Sequence, residues 1–345
     1  MKKLNPFVLE NTDVYSFRSN ITNKQYGICI QYPEGYLQRK DPKPLPVIYI
    51  LDAQWHFPTI CAIYGTLHHD RQMPEALIVG ITWQNGNLFE QRAHDLTTDV
   101  DPSSPHHGGA DAFIECLDQE IIPHIKSEYA TTDKTVLIGS SYGGVFSYYA
   151  CLARPNLFSD YIAFGIGVNW LTKEGKFRKA LNNFANHKLT QPVHLIAGRG
   201  EWEPAEEVDA MTQQLTDMNL DQFSCEFKIV KNAGHALVNP EGFTQGLQSI
   251  FNQPNIQVAL GRLGMLCGKY QNQDTKEVVE IFIENNQLAT FTGFIASPVD
   301  FPKKATLLAL SDSLFHVLGW QYTFEFKDNQ LIYSRYNNPE TFYKI

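Results

Sequence analysis

Short apolar runs recur along the first 250 residues, separated by longer stretches of mixed polarity. The runs at 26–32 (YGICIQY), 45–51 (LPVIYIL), 76–83 (ALIVGITW), 135–139 (TVLIG), 160–166 (DYIAFGI), 192–198 (PVHLIAG) and 225–230 (CEFKIV) read as strands. Their centres are continuously apolar, as in strands covered on both faces. Between them, residues 109–129 carry apolar positions at helical spacing, with a kink predicted at Pro123. Residues 204–218 open on Pro and acids, as a helix start does, and residues 239–251 show a similar period. Strands alternating with helices predict an α/β fold with a mostly parallel central sheet flanked by helices.

The pattern changes near residue 252. After a short connector come alternating segments, KEVVEIFIENNQLATFTG, TLLALSDSLFHVL and WQYTFEFKDNQLIYSRY. Asn285-Asn286 and Asp328-Asn329 sit between β-branched and aromatic residues, where hairpin turns are expected. The predicted organisation is a catalytic α/β domain over 1–252 and a small antiparallel β domain over 255–345.

One stretch concentrates glycine and serine between two apolar runs: LIGSSYGGVFSYYACLARP, residues 137–155. Gly139-Ser140-Ser141-Tyr142-Gly143 matches G-x-S-x-G after a predicted strand and before a predicted helix, the setting of a nucleophile elbow. Ser141 is the central serine. A serine needs a base, and His235 lies in a polar loop after the last core strand. An acid is expected after the preceding strand, where Glu201 and Glu203 both stand. An oxyanion site needs two backbone N–H groups: one from Tyr142, after the serine, and one from the turn Asp52-Ala53-Gln54 after an early strand.

Composition narrows the partners. The chain has 345 residues, a formal charge of −9 and no long Lys/Arg block, which argues against a nucleic-acid surface. The six cysteines form no CxxC pair and read as reduced thiols of a cytoplasmic protein. No leader and no membrane-spanning run is expected. His68-His69-Asp70 and His106-His107 lack metal-site spacing, so no metal and no cofactor are expected. Trp55, Phe57 and Trp170 are candidate pocket walls. Arg92 is a candidate substrate contact, and is also placed to form an ion pair with Asp95. Oligomeric state is left open.

Several of these segments together resemble one family. VIYILDAQWHF resembles a strand ending in Leu-Asp-Gly, QRAHDLT resembles an R-x-x-D-L-T segment, and the block 108–163 around the serine completes the likeness with Gly198 to Glu201 and Gly234-His235. The chain resembles the Putative esterase family of α/β hydrolases, which includes enterochelin and salmochelin esterases, esterase D and the mycolyltransferases. The likeness covers about residues 10–250. It implies an α/β-hydrolase fold, a triad of Ser141, Glu201 and His235, with Glu201 chosen by the family's glycine-x-x-acid spacing, and an oxyanion hole from the Gln54 and Tyr142 N–H groups.

Three positions depart from the family pattern: Ala53 for glycine, Ser140 for histidine, and FGIGVNW (164–170) for Ser-Pro-Ser-x-Trp. The expected activity is a serine carboxylic ester hydrolase, enterochelin-esterase-like, acting on a small-molecule ester. Acyl transfer or thioester hydrolysis in the same site is the alternative, and an inert binding scaffold is the reading from another class. Siderophore hydrolysis itself does not follow, because a ferric tris-catecholate is strongly anionic and this acidic chain shows no basic cluster.

Overall fold

The apolar runs become the strands of one mixed sheet in a computed structural model that describes residues 8–99, 106–167, 175–251, 256–291, 304–317, 322–335 and 338–345. The strands are β1 (Thr12–Arg18), β2 (Gln25–Gln31), β3 (Leu45–Leu51), β4 (Leu77–Gln84), β5 (Thr131–Ser140), β6 (Asp160–Phe164), β7 (Val193–Gly200) and β8 (Phe223–Val230). Their spatial order is β1-β2-β4-β3-β5-β6-β7-β8. β1 pairs antiparallel with β2, and β2 with β4. From β4 to β8 all pairs are parallel.

Every residue of β3 and β6 is buried, because helices cover both faces of a parallel sheet. β8 lies at the edge and is only partly buried. The helices are α1 (Ala53–His69), α2 (Leu88–Asp95), α3 (Ala110–Cys116), α4 (Ile122–Glu128), α5 (Tyr142–Ala153), α6 (Lys176–Asn183), α7 (Glu206–Asp217) and α8 (Val238–Phe251). A π-turn over Leu117–Ile121 joins α3 to α4. The wider turn accommodates the ring of Pro123, which would crowd an α-helical carbonyl. The kink is predicted at Pro123; the structure has the π-turn before it, and Pro123 lies in the first turn of α4.

Contacts divide the chain into two units, one of Met1–Ile63 with Glu75–Ile250, the other of Tyr64–Pro74 with Phe251–Ile345. In the second unit α9 (Leu260–Leu266) precedes eight strands: β9 (Gly268–Asn272), β10 (Val278–Glu284), β11 (Gln287–Phe291), β12 (Lys304–Ala309), β13 (Leu314–Val317), β14 (Tyr322–Lys327), β15 (Gln330–Arg335) and β16 (Asn338–Lys344). They form an antiparallel meander, and β16 returns to pair with β9, closing a barrel. Closure removes the sheet edges, which the alternating pattern alone did not reveal.

Both predicted hairpin turns are present. Glu284 pairs with Gln287 across Asn285 (φ 51°) and Asn286 (φ 63°), and Lys327 pairs with Gln330 across Asp328 (φ 53°) and Asn329. Along β14 the buried positions Tyr322, Phe324 and Phe326 alternate with less buried ones and fill the barrel interior.

Candidate active site

β3, β5, β6, β7 and β8 all end on the same side of the sheet, as parallel neighbours must, and Gln54, Ser141, Tyr142, Glu201, Glu203 and His235 follow the ends of β3, β5, β7 and β8. β5 stops at Ser140 and α5 starts at Tyr142, so Ser141 alone makes the turn, with φ 58° and ψ −123°. For a residue with a Cβ this conformation costs about 1–3 kcal/mol. It is held from both sides: the Ser141 N–H donates to Phe164 O at 3.2 Å, and the Ser141 C=O accepts from the Val145 N–H at 2.9 Å. The turn is this tight because Gly139 has no side chain. A Cβ there would lie 1.9 Å from Gly143 O.

The two adjacent serines have different environments. Ser140 is buried, and its hydroxyl donates to Asn239 Oδ1 on α8 at 2.6 Å. Ser141 is only partly buried. Asn239 thus holds Ser140, a role the sequence did not announce.

His235 sits in the loop between β8 and α8. Its Nδ1–H donates to Glu203 Oε1 at 2.8 Å, while Glu203 Oε2 accepts from the Gly200 N–H at 2.6 Å. Glu201, expected beside the imidazole, instead accepts from the Asn232 N–H at 2.9 Å. The structure therefore brings Glu203, not Glu201, to His235. Burial pushes the Glu203 carboxyl up, but the hydrogen bonds from His235 and Gly200 outweigh it and hold the group below its ordinary range. The same hydrogen bond raises the His235 imidazole above its usual value, against burial and the Arg92 guanidinium, which lower it.

His235 and the elbow share a neighbour. Phe164 O receives the Ser141 N–H, and at the next residue, Gly165 (φ 55°), a Cβ would lie 3.5 Å from His235 Nδ1. With Nδ1 donating to a carboxylate, Nε2 is left as an acceptor, which is what a base beside a serine needs.

Gln54 and Tyr142 both lie in the first turn of a helix, α1 and α5, where backbone N–H groups have no intrahelical acceptor. Thr82 Oγ1 donates to the Gln54 side chain at 2.6 Å. Arg92 does not pair with Asp95. Its guanidinium grips Asp52, with Nε to Oδ1 at 2.6 Å and Nη2 to Oδ2 at 2.8 Å. Asp95 is fully buried and binds Lys24, the Tyr26 hydroxyl and the Trp83 indole N–H.

Among the expected pocket residues, Trp55 is 45% exposed and packs against Phe89, itself 66% exposed, with ring centroids 5.8 Å apart. Phe57 is buried in the core. Trp170 lies outside the described residues. Phe89 and Trp202, both exposed large aromatics near site residues in sequence, were not singled out, since nothing in their local pattern separates them from other aromatics. Among the described residues no group of three or more His, Cys, Asp or Glu side chains could hold a metal ion. No helix there is long and apolar enough to cross a membrane.

Comparison with known proteins adds the family. The family described as Putative esterase matches residues 19–230, which takes in Ser141, Glu201 and Glu203 and stops before His235. The chain is 26% identical over 283 residues to ferri-bacillibactin esterase BesA of Bacillus subtilis, a match covering 74% of this chain and 95% of that protein. It is 27% identical over 172 residues to a siderophore triacetylfusarinine C esterase of Aspergillus fumigatus, covering 48% and 59% of the two. The crystal structure of the BES protein from Bacillus cereus shares the fold at TM-score 0.64 and 24% identity, covering 72% of this chain and 98% of that one. More than half of the chain thus lies within one family match, and the chain belongs to the Putative esterase family as a serine-type carboxylic ester hydrolase of the enterochelin esterase kind.

Proposed function

We propose that Ser141, His235 and Glu203 act as nucleophile, base and orienting acid in hydrolysing a siderophore-type ester through an acyl-enzyme. The observation that carries this reading is the Glu203–His235 hydrogen bond, with His235 packed at Gly165, next to the Phe164 carbonyl that holds Ser141 at positive φ. His235 Nε2 takes the proton from Ser141 Oγ, which attacks the ester carbonyl carbon. The oxyanion that forms lies against the Gln54 and Tyr142 N–H groups. His235 then protonates the departing alkoxide oxygen, and a water molecule, activated the same way, cleaves the acyl-serine. Glu203 stays ionised and holds the imidazole in its working tautomer.

One feature bears on the substrate. The exposed Trp55–Phe89 pair offers an aryl-stacking surface next to Gln54. This suits an ester that carries aromatic groups, such as the bacillibactin named for the Bacillus subtilis relative.

The test is product analysis by mass spectrometry with iron-free and ferric bacillibactin or enterobactin. Linear hydrolysis products are expected with the wild-type protein and none with Ser141→Ala. Faster turnover of acyl-CoA thioesters than of either trilactone would overturn the reading.

A further inference from the structure

The Asp52–Arg92 ion pair lies where two separate pieces of the site meet. Asp52 closes the turn after β3, in a positive-φ conformation (57°), and its C=O accepts the N–H groups of Trp55 and His56, fixing the first turn of α1 around Gln54. Its carboxylate also reaches the elbow: a Cβ on Gly143 would lie 3.2 Å from Asp52 Oδ2. Arg92, from α2, fills the other side. Its guanidinium lies 5.4 Å from the Trp55 ring centroid and 5.1 Å from that of Tyr142. One cation thus touches the residue after Gln54 and Tyr142 itself.

Both partners are withdrawn from solvent, Asp52 fully and Arg92 to 9% exposure. Their bonding is a two-pronged fork, the arrangement that fixes direction as well as distance. The backbone that carries Arg92 is fixed in turn. Asn87 caps the start of α2, and Asp95, one turn beyond Arg92, is tied to Lys24, Tyr26 and Trp83. Both carboxylate oxygens of Asp52 are engaged, through Nε and Nη2 of Arg92.

We propose that the Asp52–Arg92 pair is a positioning device that holds the α1 and α5 N-termini in register, so that the Gln54 and Tyr142 N–H groups converge on one oxyanion. It acts through those N–H groups and does not touch the substrate; it rests on the oxyanion and Ser141 roles proposed above. An oxyanion site is effective only when its donors are pre-aimed, and removing one donor altogether costs about 10²–10³ in kcat. A loosened frame costs a part of that.

The test uses an uncharged p-nitrophenyl ester, which offers Arg92 no anionic group to bind. Asp52→Asn loses one prong, and Arg92→Lys replaces the fork by a point charge. Each is expected to lower kcat by roughly 10- to 100-fold with KM changed by less than about threefold. Each should slow phosphonylation of Ser141 by a fluorophosphonate by a similar factor. The combined variant should be no slower than the worse single, because the pair works as one unit.

A kcat within about threefold of wild type in either folded variant, an effect confined to KM, or additive losses in the combined variant would overturn the proposal. Thermal melts establish folding, and Arg92→Lys decides if Asp52→Asn does not fold. Ser141→Ala is measured alongside. Activity surviving in it would refute the nucleophile itself, whereas a dead Ser141→Ala beside unimpaired Asp52 and Arg92 variants would refute only the positioning role.

Discussion

Glu203 Oε1 lies 2.8 Å from His235 Nδ1, while Glu201, two residues earlier, is bound to the Asn232 N–H on a neighbouring loop. The difference follows from where β7 ends. The apolar run stops at Gly198, and three residues on from there is Glu201. The strand itself continues through Arg199 to Gly200. Counted from Gly200, the same glycine-x-x-acid spacing lands on Glu203, and the Glu203 N–H donates back to Gly200 O to close the turn.

Glu203→Gln is therefore expected to lower kcat by about 10⁴, the loss seen when a triad acid becomes its amide and the imidazole loses its tautomer. Glu201→Gln is expected to cost less than about tenfold, because its carboxylate serves a loop N–H and not the imidazole. Steady-state kinetics on one ester decide it, and the reverse order would return the acid role to Glu201.

The pH profile follows from the same contact. The proposed base is neutral His235, whose pKa is raised by the Glu203 hydrogen bond, against burial and Arg92, which lower it. The acid limb of kcat/KM is thus expected at a pH above the ordinary histidine value of about 6.5. Removing the raising contact in Glu203→Gln should move that limb to lower pH. A limb that stays put would mean another group controls it.

The adjacent serines separate chemistry from packing. Ser141→Ala is expected to abolish ester hydrolysis, with losses of around 10⁶ typical of such nucleophiles. Ser140→Ala leaves Asn239 Oδ1 without its donor in a buried site and is expected to cost about 1–3 kcal/mol of stability. Its turnover should persist. Chemical denaturation and an activity assay on the two variants test the register of the elbow.

Much of this was legible in the sequence, for identifiable reasons. The buried strands announced themselves because burial on both faces leaves an unbroken apolar run, as in β3. The elbow was legible because G-x-S-x-G stood between an apolar strand run and a helical pattern, the setting that the turn requires. β1 was not, since its residues are mostly exposed and carry no alternation. α1 was obscured by Pro58, which is normally a helix breaker. The Asp52–Arg92 pair was misassigned to Arg92–Asp95, two residues one helical turn apart. Tertiary packing sends Arg92 to Asp52 and Asp95 to the core instead.

The conformation of Ser141 also sets this position's stability against its activity. At φ 58° a Cβ is a liability, which the nucleophile role proposed for the hydroxyl would offset. Ser141→Gly and Ser141→Ala both delete the hydroxyl, but only glycine relieves the backbone. The glycine variant is expected to melt higher than the alanine variant, by about 1 kcal/mol or somewhat more at the transition. An equal or lower melting temperature for Ser141→Gly would show that the turn is not strained. If the difference is found, the proposed nucleophile is a residue that selection for thermal stability alone would remove, and a thermostabilised descendant should be checked at this codon first.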